Sequence, residues 1–81
     1  MTEEAAHRRG SALARLRREA QITTAELAEQ ALVDRSDMRA MEAGAKPVTR
    51  PVLRRLARTF DVSEDALRHR LVAGSHARVA A

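Results

Sequence analysis

Arg35 and Arg39 stand four residues apart, a spacing that puts both guanidinium groups on one face of a helix. Ser36 and Ala40 repeat that spacing one residue further on. A guanidinium fork can donate two hydrogen bonds at once to an anionic or planar acceptor pair. The chain has no Asn, and its two Gln, Gln21 and Gln30, lie outside this segment. No amide side chain is therefore available from it. A second group of cations follows. Lys46, Arg50, Arg54, Arg55 and Arg58 fall between Gly44 and Phe60 with no acidic residue among them. Such a run is either a surface for a polyanion or a solvated face.

Other chemistries find little support. His7, His69 and His76 have no ligand-like pairing with one another, and there is no Cys, so no metal site is expected. Ser11, Ser36 and Ser63 read as helix caps or surface residues rather than nucleophiles. The three Gly are separated and form no phosphate-binding loop. The expectation is a protein that is not an enzyme, holds no cofactor and has no evident small-molecule ligand. No stretch approaches the length of a membrane span. Arg8 and Arg9 precede only the short run Gly10 to Ala14, too brief for the apolar region of a signal peptide. The basic residues spread over several short segments without an aromatic anchor, which argues against a membrane surface. A cytoplasmic location follows as the expectation.

These side chains need a scaffold, and 81 residues supply one small domain. With no disulfide and a single Phe, the core must be Leu, Val, Ile, Met and Ala, a mixture that favours helices over sheets. The formal net charge of +4 is unevenly spread. Residues 1–20 carry +2, residues 21–43 carry −3 (two Arg against five carboxylates), residues 44–60 carry +5, and residues 61–81 balance to zero.

The apolar spacing predicts five short helices. Ser11 opens the first, with Leu13, Leu16 and Ala20 on one face, after an N-terminal arm of residues 1–10. Thr23 and Glu26 form a capping box for the second, whose buried stripe is Leu27, Ala28 and Ala31. Asp34 caps the third, which turns Met38 and Met41 inward and stops at Gly44. Thr49 caps the fourth, with Pro51 in its first turn and Leu53, Leu56, Ala57 and Phe60 facing the core. Ser63 caps the fifth, with Leu67 and Leu71 inward, and residues 74–81 read as a loose tail behind a domain of residues 11–73. The short link around Leu32 and Val33 forces helices two and three into a near-perpendicular pair, with Ala28 small enough for their crossing.

At this point residues 12–71 resemble the helix-turn-helix domain of the Cro and phage-repressor family, also called xenobiotic-response-element-like. The matching segments are Leu16-Arg17-Arg18-Glu19, Ile22-Thr23, Glu26-Leu27-Ala28, Val33, Arg35-Ser36, Met38, Met41-Glu42-Ala43-Gly44, Leu56-Ala57-Arg58 and Val62-Ser63. The resemblance implies an all-α, compact five-helix, lambda-repressor-like bundle. It implies a sequence-specific DNA-binding transcriptional regulator, acting as a homodimer on double-stranded DNA, with helix three (about residues 34–43) in the major groove. Residue-by-residue carry-over makes Arg35, Ser36, Arg39 and Ala40 the base-facing set. Thr23, Thr24, Lys46, Arg50 and Arg54 become candidates for the backbone, with Asp37 beside them. Asp37 can accept from cytosine N4, orient an Arg or repel phosphate. Thr23 is a cap before it is a phosphate contact. The resemblance also implies an internal ion pair between Arg17 and Glu42.

Two turn positions depart from the family pattern, which favours Gly where this chain has Gln21 and Leu32. Leu32 must then take a left-handed conformation, follow another path, or extend helix two. Leu67, Leu71 and Val72 are either a two-fold apolar contact or the monomer's own core. The acidic character of residues 21–43 keeps a second reading open, a protein-interaction module such as an antitoxin or a binder of a sigma factor.

Overall fold

The computed structural model describes residues 2–80, with side chains described for residues 2–72. Five helices follow in order: α1 (Glu3–Glu19), α2 (Thr24–Ala31), α3 (Arg35–Glu42), α4 (Arg50–Thr59) and α5 (Glu64–Ala80). There is no strand among the described residues. α1 packs on α5 and α3, α2 packs on α3 and α4, and α4 closes against α5. The expected all-α five-helix bundle is the observed architecture.

The core is aliphatic, as the composition requires. Leu13, Leu27, Met38, Leu56 and Leu67 are fully buried, one from each helix. Ala28 is also buried, which lets α2 and α3 approach closely. The single Phe, Phe60, is only partly buried and packs against the edge of the cluster with Leu16, Ile22, Val33, Val48 and Val62.

α1 begins at Glu3 rather than Ser11, which replaces the expected arm with helix. The Thr2 side chain accepts a hydrogen bond from the Ala5 N–H at 3.1 Å, and Glu3 and Glu4 stand in the first turn where the helix dipole favours acids. Gly10, the last residue of the expected arm, lies buried inside α1. At the other end α5 continues through Gly74 to Ala80, so the expected tail is helical backbone. Neither boundary of the expected 11–73 domain coincides with the end of an element.

The capping box of α2 is complete. Glu26 N–H donates to Thr23 Oγ1 at 3.1 Å, and Thr23 N–H donates to Glu26 Oε1 at 2.9 Å. The Thr23 backbone N–H, and then its hydroxyl, hold the Glu26 carboxyl below its usual range. A group whose folded pKa is lowered adds stability above the ordinary glutamate value and loses it as pH falls through the lowered one. Thr23→Ala is expected to cost about 1 kcal/mol, a fall of roughly 4–8 °C in Tm, measured by thermal unfolding at neutral pH. An unchanged Tm would leave Thr23 without a structural role. Asp34 and Thr49 occupy the N-cap positions of α3 and α4, as expected, but neither side chain makes a capping bond. Ser63 does cap, accepting from Ala66 N–H at 3.0 Å.

Four helix ends share one device. A left-handed residue is followed by a residue whose N–H reaches back five positions. Gln21 (φ 60°) precedes Ile22→Arg17, Leu32 (φ 58°) precedes Val33→Ala28, Gly44 (φ 76°) precedes Ala45→Ala40, and Asp61 (φ 57°) precedes Val62→Ala57. Of the paths open to Leu32, the chain takes the left-handed one. A non-glycine residue there costs roughly 1–2 kcal/mol. The apolar residues that follow, Ile22, Val33 and Val62, pack against the core and offset that cost.

Candidate nucleic-acid interface

α3 is amphipathic by placement. Met38 and Met41 are buried beneath it, while Arg35, Ser36 and Arg39 are exposed and Ala40 is half-buried. Each of α2 and α3 spans 8 residues, and the three-residue connection Leu32 to Asp34 joins them. Arg35 and Arg39 make no ion pair or hydrogen bond with any described residue. Their donors are therefore available to a partner. The neighbouring acids Asp34 and Asp37 do not engage them. Asp37 turns instead to Lys46, with Oδ1 2.9 Å from Nζ.

That pair was not legible from residue types, because the two positions lie on different elements with no common periodicity. The loop carrying Lys46 is pinned to α3 by one carbonyl. Ala40 O accepts from Ala45 N–H at 2.8 Å and from Lys46 N–H at 3.2 Å. The loop cation and α3 thus form one rigid edge.

The remaining backbone candidates divide by partner. Arg50 is exposed at the first position of α4 and has no partner among the described residues. Arg54, which is exposed, lies 3.7 Å from Oε1 of the half-buried Glu64, a long pair with no hydrogen bond in it. Thr23 is exposed and Thr24 half-buried at the start of α2, beside that helix's free N–H groups. Arg55 is half-buried and donates from Nη1 to Ala31 O at 3.3 Å, satisfying one of the last carbonyls of α2. It is thus a C-terminal cap for α2, while Arg58 remains a solvated cation. His7 does the same for α3, with Nδ1 3.4 Å from Ala43 O.

Arg17 and Glu42 meet as the resemblance implied. Arg17 Nε donates to both Glu42 oxygens, at 3.0 and 3.2 Å, and Nη1 donates to Ile22 O at 3.0 Å. The two side chains are 16% and 11% exposed, so the pair lies inside the fold and away from the α3 surface. Leu67 and Leu71 are buried in the core of the single chain, the second of the two readings open to them, and Val72 is half-buried. A cleft of about 380 Å³ runs between α1, the α3–α4 loop and α5, with Arg9, Met41, Val48 and Leu53 in its wall. The sequence held no hint of it. No cluster of potential metal ligands occurs among the described residues. No helix among them is long and apolar enough to cross a membrane.

α2 and α3, joined by a three-residue turn, form a helix-turn-helix pair, and comparison with known proteins agrees with that description of the fold. A family model described as a helix-turn-helix domain matches residues 10–71. No curated protein matches the chain. Among solved structures, the chain is similar to the clp gene regulator ClgR from Corynebacterium glutamicum, at 22% identity and a TM-score of 0.79. That similarity covers 94% of this chain and 81% of the other, and at this identity it speaks for the fold. The family match takes in α2, α3 and their turn entire, together with most of the bundle that holds them: the chain belongs to the helix-turn-helix domain family.

Proposed function

We propose that this protein is a sequence-specific DNA-binding regulator of transcription, with α3 seated in the major groove. The observation that carries the reading is the pair Arg35 and Arg39. Both are exposed, unpartnered among the described residues, and mounted on a helix whose opposite face is locked by buried Met38 and Met41. A rigid helix with two free guanidinium forks suits guanine edges. Ser36 and Ala40 border them on the same face. In this reading Thr23 and Thr24 at the start of α2 and Arg50 at the start of α4 contact the backbone, with Lys46 and Arg54 as further candidates that would have to share or leave Asp37 and Glu64. In this reading the protein acts as a homodimer, whose half-sites lie about 34 Å apart on one face of the duplex.

Selection of bound fragments from a random duplex pool tests this directly. The expected product is a palindromic site with guanines in each half. Arg35→Ala or Arg39→Ala should relax preference at one base position by about 1–3 kcal/mol, a 5- to 150-fold loss of discrimination. Equal weakening on every sequence would remove these residues from base readout.

A protein-interaction module is the second reading, and one observation favours it. Leu32 is 73% exposed at the helix-turn-helix turn, the one large exposed apolar side chain among the described residues. No enrichment of any duplex at low salt, beside capture of a defined protein partner lost in Leu32→Ser, would make this the better account.

A further inference from the structure

Lys46 is not a free cation awaiting phosphate. Its ammonium is 2.9 Å from Asp37 Oδ1, and both side chains remain in contact with water, at 48% and 38% exposure. The loop backbone at Ala45 and Lys46 is tied to Ala40 O, so the pair is held together by the fold and needs no long-range ordering. Exposed pairs of this kind contribute little to stability, so stability alone gives Asp37 no reason to be there. Its position is costly for binding a polyanion. Asp37 stands in the first turn of α3, the helix that carries Arg35 and Arg39, and residues 21–43 already sum to −3.

We propose that Asp37 is a resident counter-ion for Lys46 that suppresses sequence-independent DNA binding. This rests on the DNA-binding reading above. While the pair is closed, Lys46 brings no net charge to a phosphate, and the Asp37 carboxylate faces the same polyanion. A phosphate that engages Lys46 must share its three donors with Asp37 or displace it. The cation that the phosphate sheds is then partly retained by the exposed carboxylate, and the salt dependence is blunted. Arg50, which has no such partner among the described residues, keeps its full electrostatic effect. The affinity of this protein for random duplex is thereby held down, and discrimination shifts towards Arg35 and Arg39.

The test is a salt titration of binding to a random duplex lacking any selected site, begun near about 50 mM salt. It compares the wild-type chain with Asp37→Asn, Lys46→Gln and the double variant, each checked for an unchanged unfolding midpoint. Asp37→Asn should bind several-fold more tightly than wild type, with a salt slope steeper by about one. Lys46→Gln should have a small effect in the wild-type background and a several-fold larger one in the Asp37→Asn background. Arg50→Gln should lower the slope by about one in both. Unchanged or weaker binding by Asp37→Asn would overturn the proposal and make Asp37 a positioning or contact residue. Equal effects of Lys46→Gln in the two backgrounds would overturn it as well. If neither wild type nor Asp37→Asn binds at low salt, while both are folded, the DNA-binding reading itself fails and takes this inference with it.

Discussion

Gly10→Ala is expected to destabilise the domain by about 2 kcal/mol, a fall of roughly 8–16 °C in the unfolding midpoint. The sign is opposite to the usual one for glycine inside a helix. At an open site alanine would be favoured by about 1 kcal/mol. Here a methyl group would sit 2.5 Å from Met41 O, 2.6 Å from Glu42 O and 2.6 Å from Gly44 N. All three atoms are backbone at the end of α3, so no side chain can swing aside. Gly44 faces the same contact from the other direction. A Cβ there would meet Ala6 O at 2.5 Å and the His7 backbone at 2.5 and 2.6 Å, at a φ of +76°. The two glycines let the backbone of α1 lie directly on the turn that follows α3, so the N-terminal half of α1 buttresses the base of the candidate DNA-reading helix. Thermal unfolding followed by circular dichroism measures the effect. A raised midpoint in Gly10→Ala would show that residues 3–9 do not pack against that turn in solution.

The same glycine marks the limit of what could be read from residue types. Gly10 carries two opposite meanings, helix boundary or close backbone approach, and only the partner on α3 decides between them. The helices themselves were legible where local chemistry is self-contained. Thr23 and Glu26 specify a cap within four residues, and Leu53, Leu56, Ala57 and Phe60 specify a face within two turns. The start of α1 is also written locally, in Thr2 followed by Glu3 and Glu4, eight residues ahead of the start expected at Ser11. Three left-handed turns at Gln21, Leu32 and Asp61 carry no glycine, and their sign is the partly buried apolar residue that follows each. At the candidate site, the exposure of Arg35 and Arg39 followed from the periodicity of Met38 and Met41. The partners of Lys46, Arg54 and Arg55 did not, because each lies on another element whose approach is set by the tertiary fold.

Arg17 and Glu42 differ from those surface pairs in depth, and their loss should be correspondingly large. Arg17→Ala leaves the Glu42 carboxylate at 11% exposure without its cation, and it leaves Ile22 O without the donor at 3.0 Å. A mostly buried charge stripped of its partner costs about 3 kcal/mol, which for a domain of this size is a fall of roughly 12 °C or more. Glu42→Ala should cost a similar amount by stranding the guanidinium. The double variant Arg17→Met/Glu42→Leu strands neither, so it should unfold at a higher midpoint than either single variant. If it proves no more stable than the singles, the pair is not acting through uncompensated burial, and packing of the Arg17 stem over Ile22 is the better explanation. The distinction matters for the candidate interface. Arg17 holds the entry to α2 through Ile22 O, and Glu42 is the last residue of α3. Through Arg17 on α1, the bifurcated Nε bond to Glu42 and the Nη1 bond to Ile22 O therefore tie the two ends of the helix-turn-helix unit together across its base. An apolar pair can restore the stability that this bond supplies, but it has no directional preference to hold α3 at one angle. The double variant is accordingly expected to recover its unfolding midpoint more fully than its discrimination between a selected duplex and a random one, measured by competition at fixed salt. Equal recovery of both would reduce the pair to a stabilising contact with no part in setting the angle of α3.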